Sequence, residues 1–181
     1  AQTADLVCEA YTGERLSHVT SPHNPTGSEW TRGEITTLLN EVDDRTLVVV
    51  DEAYGEYSEE PSSIELLDRF DNLAVLRTFS KAYGLAGLRI GYAAVPRSWA
   101  DAYARVITPF AANEVACRAA LAALDDDDHV EQSVESARWA REYMPRELNA
   151  PKVERAANFR RADGGESSQG GEASERAGRS T

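Results

Sequence analysis

The sequence predicts an α/β fold in which a mostly parallel sheet is flanked by helices. Short apolar runs alternate along the chain with amphipathic stretches, which is typical of repeated strand–helix–strand units. The run 46–50 is rich in β-branched residues and lacks alternation, as expected for a strand covered on both faces. Polar residues directly follow several of these runs, where open α/β sheets bind their ligands. With 181 residues, the chain is long enough for one domain or a little more.

The strands are predicted from the apolar runs and from the residues that end them. The predicted strands are 16–20, 46–50, 73–77 and 90–95. The first leads into the segment 21–27, whose two prolines and glycine favour a turn. Pro96 ends the last strand, because proline cannot donate a hydrogen bond to a sheet.

The helices are predicted from capping signals and from apolar residues that recur every three or four positions. Thr31 followed by Glu34 predicts a capping box at the start of the first helix. The apolar stripe of that helix consists of Ile35, Leu38, Leu39 and Val42. Ser62 with Glu65 predicts a second, short helix, and Asp128 is a candidate cap in the acidic run 125–128. Further helices are predicted at 98–107, 110–124 and 129–148.

Charge and composition exclude some classes of partner. The chain holds 31 acidic and 19 basic residues, a formal charge of -12, so a nucleic-acid partner is not expected. No stretch approaches the length of a membrane helix, and no membrane association is expected. Cys8 and Cys117 are too few and too far apart for a disulfide framework or a metal site, which predicts a reducing, cytoplasmic location without a bound metal.

Lysine is scarce in this chain, since 17 of the 19 basic residues are arginines and only Lys81 and Lys152 are lysines. An acid-rich and lysine-poor surface suits a salt-rich, halophile-like cytoplasm, although drift in an arginine-favouring genome explains the same composition equally well. Arginine serves wherever only positive charge is needed. It cannot lose its proton and form an imine with a carbonyl carbon, whereas a lysine can, so Lys81 is a candidate for covalent chemistry.

Three polar clusters follow predicted strands and are expected to converge at one edge of the sheet. They are Asn24, Asp51 with Tyr54, and the segment 78–81 that contains Lys81. Each residue taken alone also has a structural explanation, such as a turn, a helix cap, a core aromatic or a surface ion pair. Their joint occurrence at strand ends favours a binding site.

The motifs around these clusters resemble those of the fold type I, pyridoxal-phosphate-dependent aminotransferases. SPHNPTG at 21–27 resembles the asparagine-containing turn of that family, and DEAY at 51–54 resembles its strand end. TFSKAYGLAGLRIGY at 78–92 resembles the family's cofactor-lysine segment nearly throughout. The likeness is greatest to the histidinol-phosphate aminotransferases. It implies pyridoxal 5'-phosphate as the cofactor and the α/β fold of a partial large domain.

The resemblance implies a role for each residue that contacts the cofactor ring. Asp51 would face the pyridine nitrogen, where a carboxylate keeps that nitrogen protonated and improves the ring as an electron sink. Asn24 and Tyr54 would donate hydrogen bonds to the phenolic oxygen of the ring.

The remaining roles concern the phosphate and the reactive carbon of the cofactor. Ser80 and Arg89, and with them Thr78, would bind the phosphate through charge-assisted hydrogen bonds. Lys81 would bind the cofactor covalently and then act as the catalytic base that moves the substrate proton.

The resemblance also implies domains, substrates and partners. Residues 1–108 would be a partial cofactor-binding large domain, and 109–159 a helical connection with the start of a small domain. From residue 160 onward alanines are the only apolar residues, so 160–181 is predicted to be a disordered tail unlike the family. The family is dimeric, which implies a homodimer.

The implied reaction is transamination between histidinol phosphate as the amino donor and a 2-oxo acid, 2-oxoglutarate, in histidine biosynthesis. Because the family's chains are considerably longer, this chain is interpreted as a truncated form. One alternative is a non-catalytic remnant that at most binds cofactor. Others are a different fold type I aminotransferase and a threonine-phosphate decarboxylase, which share the lysine segment.

Overall fold

The computed structural model describes residues 4–147. The helices are α1 (Ala4–Ala10), α2 (Arg32–Glu41), α3 (Ala100–Val106), α4 (Glu114–Leu124) and α5 (Asp127–Glu147). The strands are β1 (Leu16–Thr20), β2 (Leu47–Asp51), β3 (Leu73–Thr78) and β4 (Gly91–Ala94). Single 3₁₀ turns are formed by Gly55–Tyr57, Ser63–Leu66, Ala86–Leu88 and Arg97–Trp99.

Within the described residues the strands form one sheet in the order β1-β2-β3-β4. The first three strands are parallel, and β4 pairs antiparallel with β3. This mostly parallel sheet confirms the predicted α/β architecture. The carboxyl ends of β1, β2 and β3 therefore lie at the same edge, because Thr20 is in register with Asp51 and Asp51 with Leu76.

The capping box predicted for α2 is present. Thr31 Oγ1 accepts a hydrogen bond from the Glu34 N–H at 3.2 Å, and the Glu34 carboxylate accepts one from the Thr31 N–H at 2.8 Å. The second predicted box is incomplete. Ser62 Oγ accepts from the Ile64 N–H, whereas the Glu65 carboxylate binds Arg32, so the short helix is reduced to a single 3₁₀ turn.

Helix α1 was not predicted, and two of the predicted helix starts are wrong. α4 begins at Glu114 rather than 110, because Asn113 Oδ1 accepts a hydrogen bond from the Ala116 N–H at 2.8 Å. α5 begins at Asp127, and Asp126 rather than Asp128 accepts from the His129 N–H at 3.1 Å. In both cases the side chain that satisfies a free N–H at the first turn decides where the helix starts.

The core lies on one face of the sheet, under α1 and α2. Its fully buried members are Leu38, Val48, Val50, Leu73 and Val75. Burial alternates along β2, and Val49 on the other face is only half-buried. The expectation that this strand is covered on both faces is therefore wrong for the part of the chain that the structure describes.

A second, smaller cluster joins α5 to the strand ends. Tyr54, Tyr57 and Ala82 are buried together, and Val130, Val134 and Ala137 pack against them. α5 thereby supports the segments that follow β2 and β3. Between residues 4 and 147, no helix has both the length and the apolar character that crossing a membrane requires.

Candidate active site

The turn after β1 brings Asn24 to Tyr54. Asn24 Nδ2 donates a hydrogen bond to Tyr54 Oη at 2.9 Å, although thirty positions separate the two residues. The turn is closed by a Gly27 N–H to His23 C=O hydrogen bond of 2.6 Å, and Gly27 has a φ of 69°, which favours glycine. His23 Nδ1 lies 2.7 Å from Thr26 Oγ1, so this imidazole is engaged within the turn.

Lys81 lies beside the same tyrosine. Its Nζ is 5.1 Å from the centroid of the Tyr54 ring, within the range of a cation–π interaction. Tyr54 is buried while Lys81 is exposed, so the amine lies at the surface above a fixed aromatic ring. Lys81 is the single lysine in the part of the sequence that the structure describes. The structure thus brings together three of the predicted site residues, Asn24, Tyr54 and Lys81.

Asp51 is the last residue of β2 and is half-buried at the same edge of the sheet. Its Oδ1 accepts a hydrogen bond from the Ala53 N–H at 3.0 Å, a local contact that holds the turn after β2. Its Oδ2 lies 4.0 Å from His18 Nε2, at the limit of an ion pair. One carboxylate oxygen thus orients the side chain, and the other meets a residue of β1.

His18 was missed by the sequence reasoning. It precedes Thr20 by two positions on β1 and therefore shares its face of the sheet, and Thr20 is in register with Asp51. The alternation along β1 was the signal that could have identified it.

Ser80 and Arg89 approach each other after β3. Arg89 Nη1 lies 3.4 Å from Ser80 Oγ and donates to the Ala86 carbonyl at 2.9 Å. Arg89 has a φ of 53°, so the backbone itself takes an uncommon conformation to place this guanidinium. A hydroxyl and a guanidinium side by side are suited to binding a phosphate.

Thr78 is engaged with the backbone. Its Oγ1 accepts a hydrogen bond from the Ser80 N–H at 3.1 Å and lies 3.5 Å from the Ile90 carbonyl oxygen. As a phosphate ligand it would have to give up the longer of these contacts. Its evident role is to fix the turn that leads to Ser80 and Lys81.

The chemistry of this donor set fits a phosphorylated aromatic aldehyde. The amine of the site suits the aldehyde of such a molecule, and the carboxylate suits its ring nitrogen. The phenol that is hydrogen-bonded to an amide suits the phenolic oxygen, and the hydroxyl with the guanidinium suits the phosphate. Among residues 4–147, no group of three or more His, Cys, Asp or Glu side chains is arranged to hold a metal ion.

The chain matches the family model described as aminotransferase class I and II over residues 3–161. It is 63% identical, over 98% of its length, to the histidinol-phosphate aminotransferase of Haloferax volcanii. This alignment extends past the end of the family match and includes residues beyond 160, so the predicted dissimilarity of 160–181 stays a prediction. The chain spans about half the length of the curated relatives it matches.

Two solved structures show the same likeness. The structure of the Sinorhizobium meliloti histidinol-phosphate aminotransferase in complex with pyridoxal-5'-phosphate aligns with a TM-score of 0.73 and 32% identity, over 79% of this chain and 40% of that one. The L-threonine-O-3-phosphate decarboxylase of Porphyromonas gingivalis aligns with a TM-score of 0.66 and 29% identity, over 74% of this chain and 41% of that one. Because the family model matches residues 3–161 and the relatives above agree with it, the chain belongs to the class I and II aminotransferase family.

Proposed function

We propose that this chain provides the cofactor-binding part of a pyridoxal-phosphate-dependent aminotransferase that exchanges an amino group between histidinol phosphate and 2-oxoglutarate. The observation that carries the proposal is the contact of Lys81 with Tyr54, which is itself hydrogen-bonded to Asn24. The substrates are proposed from the 63% identical relative, which bears the name histidinol-phosphate aminotransferase.

Each residue near the ring has a role that its position supports. When bound, pyridoxal phosphate supplies an aldehyde that accepts the amino group and a ring that withdraws electrons from the substrate. Asp51 would use Oδ2, the oxygen that does not accept from the Ala53 N–H, to accept a hydrogen bond from the protonated ring nitrogen. Tyr54 accepts from Asn24 and directs its own hydroxyl proton to the phenolic oxygen.

The remaining residues bind the phosphate and move the proton. Ser80 and Arg89 hold the phosphate with charge-assisted hydrogen bonds, and Thr78 keeps the turn in shape and contributes its hydroxyl. Lys81 would hold the cofactor through its Nζ. As a free amine, the same nitrogen would act as the general base that takes the proton from the substrate carbon.

The proposal extends to assembly and location. We infer a homodimer in the cytoplasm, and an exposed apolar surface on and after α3 supports a partner subunit: Tyr103, Val106, Ile107 and the fully exposed Phe110. The proposed domain limits are 1–108 for the cofactor-binding part and 109–159 for the helical connection, of which residues from 148 onward lie outside the described part.

A phosphothreonine decarboxylase is the second candidate, because the Porphyromonas gingivalis decarboxylase aligns almost as well as the aminotransferase structure. The third is a chain that binds the cofactor without turnover. Both alternatives keep Lys81 as the attachment point and differ in the reaction that the attached cofactor undergoes.

The test is covalent mapping on the purified chain. Pyridoxal phosphate is added, the visible absorbance is recorded, the linkage is reduced with borohydride, and the labelled lysine is located by mass spectrometry. Because the chain holds two lysines, the result is a choice between Lys81 and Lys152. We expect label on Lys81, no change in Lys152→Ala and loss of the visible band in Lys81→Ala. An unlabelled Lys81 in the parent chain would contradict the proposal.

Amino donors then separate the three candidates. Histidinol phosphate with 2-oxoglutarate should yield glutamate if the chain is a transaminase, and phosphothreonine should release carbon dioxide if it is a decarboxylase. Labelling of Lys81 without either product identifies a chain that binds the cofactor only.

A further inference from the structure

A buried ion cluster lies directly beneath the candidate site. Arg77, on β3, donates from Nη1 to Glu52 Oε2 at 2.8 Å and from Nη2 to Glu56 Oε1 at 2.7 Å. The side chains are only 14% exposed for Arg77 and 7% for each glutamate. Glu52 also accepts from Ser62 Oγ and from the Ser63 N–H, both at 2.7 Å. One guanidinium thus bridges two carboxylates that lie on either side of Tyr54 in the sequence.

Arg77 supplies the positive charge that compensates both buried carboxylates of the cluster. Burial alone disfavours its charged form, but the attraction of Glu56 and Glu52 outweighs this and raises the pKa of Arg77 above its ordinary value. Arg77 Nε and Glu56 Oε2 are buried without a hydrogen-bond partner among the described residues. A buried pair of this kind adds little net stability compared with apolar packing, whereas loss of one partner leaves the other charge stranded. A role in positioning is therefore the better explanation.

The cluster joins the two halves of the candidate site. Glu52 directly follows Asp51 and Glu56 lies two residues after Tyr54, so both carboxylates belong to the segment that carries the ring-binding side chains. Arg77 precedes Thr78 on the neighbouring strand, and the Glu52 N–H donates to the Leu76 carbonyl at 2.9 Å. Successive residues of a strand point to opposite faces, so the ion cluster lies across the sheet from Asp51.

The backbone passes close to the guanidinium at Gly55. A Cβ atom on Gly55 would lie 2.8 Å from Arg77 Nη1, which is closer than carbon and nitrogen tolerate. The glycine therefore lets the segment 52–56 close over Arg77. Substitution of Gly55 by alanine is therefore a second way to disturb the ion cluster, and it leaves every charge in place.

We propose that Arg77 is a positioning residue, whose guanidinium clamps the segment 52–56 to the end of β3 and so sets the distance between Tyr54 and the Lys81 amine. The proposal rests on the function proposed above, because it explains how the two halves of that site keep their separation. The 5.1 Å between Lys81 Nζ and the Tyr54 ring is the quantity that the clamp maintains.

The experiment compares Arg77→Met, Arg77→Lys and Gly55→Ala with the parent chain. Arg118→Met is the matched control, since Arg118 forms an exposed ion pair with Glu114 within α4, away from the strand ends. Circular dichroism and thermal unfolding identify which variants are folded. Arg77→Lys retains one point charge but cannot bridge two carboxylates as a planar fork does.

The first readout needs no cofactor. Competitive acylation measures the reactivity of the Lys81 amine across pH, with Lys152 in the same chain as the internal reference. We expect the Lys81 pH profile to shift in Arg77→Met and Gly55→Ala, to shift less in Arg77→Lys and to stay unchanged in Arg118→Met.

The second readout is the dissociation constant for pyridoxal phosphate, from the visible absorbance. We expect the dissociation constant to rise about tenfold, which corresponds to about 1.4 kcal/mol, in Arg77→Met and Gly55→Ala and to be unchanged in Arg118→Met. If the parent chain fails to label Lys81, the proposed function fails, while the acylation profiles still decide on the clamp. If folded Arg77 variants and Gly55→Ala lose only thermal stability, with parental Lys81 reactivity, the positioning role is overturned. If Arg77→Met does not fold, the Lys81 acylation profile of Gly55→Ala decides whether Arg77 has the positioning role.

Discussion

The two faces of the sheet are built from the same strands but in different ways. On the core face, Leu38 of α2 packs with Val48 and Val75 of the strands and none of the three is exposed. On the other face Leu16 is 57% exposed, and the polar side chains of His18 and Asp51 lie near each other. Successive residues of each strand thus point to different faces, one that packs in the core and one that carries polar side chains of the candidate site.

The largest effect is expected on the chemistry of the site. Lys81→Arg keeps a positive charge above the Tyr54 ring but removes an amine that can lose its proton and bond to an aldehyde. We expect complete loss of the reducible pyridoxal phosphate adduct, measured by mass spectrometry, with an unchanged unfolding midpoint. An adduct of parental yield on any other residue would show that Lys81 is not the attachment point.

The next largest effect is expected in the core. Leu38→Ala removes a fully buried side chain and should lower the free energy of unfolding by about 2–5 kcal/mol, measured by urea denaturation. Leu16→Ala, on the opposite face, should stay within about 0.5 kcal/mol of the parent chain. Equal losses from both substitutions would mean that the two faces are equally covered in solution, contrary to their difference in burial.

A smaller effect is expected where α2 is capped. Thr31→Ala removes the Oγ1 that accepts the Glu34 N–H, and should lower the free energy of unfolding by about 1 kcal/mol. Thr36→Ala is the control, because its hydroxyl donates to the Arg32 carbonyl within the helix and caps nothing. Equal losses in the two variants would leave the capping box without a special contribution.

The smallest effect concerns the pH dependence of the same cap. The hydrogen bond from the Thr31 N–H holds the pKa of Glu34 below its ordinary value. A carboxyl group with a lowered pKa in the folded state stabilises the fold above its unfolded pKa, and this contribution is lost as the pH falls through the folded value. Glu34→Gln should therefore show a shallower decline of unfolding midpoint between about pH 5 and 3 than the parent. An identical decline would contradict the assignment.

The parts of the fold that follow from local pattern were predictable. The β-branched run placed β2 within one residue, and the Thr31–Glu34 capping box placed the start of α2. The starts of α4 and α5, which are capped by Asn113 and Asp126, were less predictable, because the side chain that reaches a free N–H decides where the helix begins. Whether β2 is covered on its second face depends on tertiary packing, which periodicity does not reveal.

The candidate site was predictable where a residue type has few other uses. Lys81 stood out because it is nearly the only lysine, and Asn24 and Tyr54 lay in recognisable motifs. His18 and Arg77 were missed because their partners depend on strand register: a histidine and an arginine inside strands look like ordinary surface residues. Arg77 becomes distinctive only when Glu52 and Glu56 are seen to meet it.

The proposed function requires Lys81 and Asp51 to serve the same cofactor ring from its two sides. A crystal structure of the chain with pyridoxal phosphate would examine both contacts at once. We predict continuous density from Lys81 Nζ to the cofactor, with an Asp51 carboxylate oxygen at hydrogen-bond distance from the ring nitrogen. A cofactor bound elsewhere, or attached to Lys81 with its ring nitrogen facing away from Asp51, would contradict the proposed function.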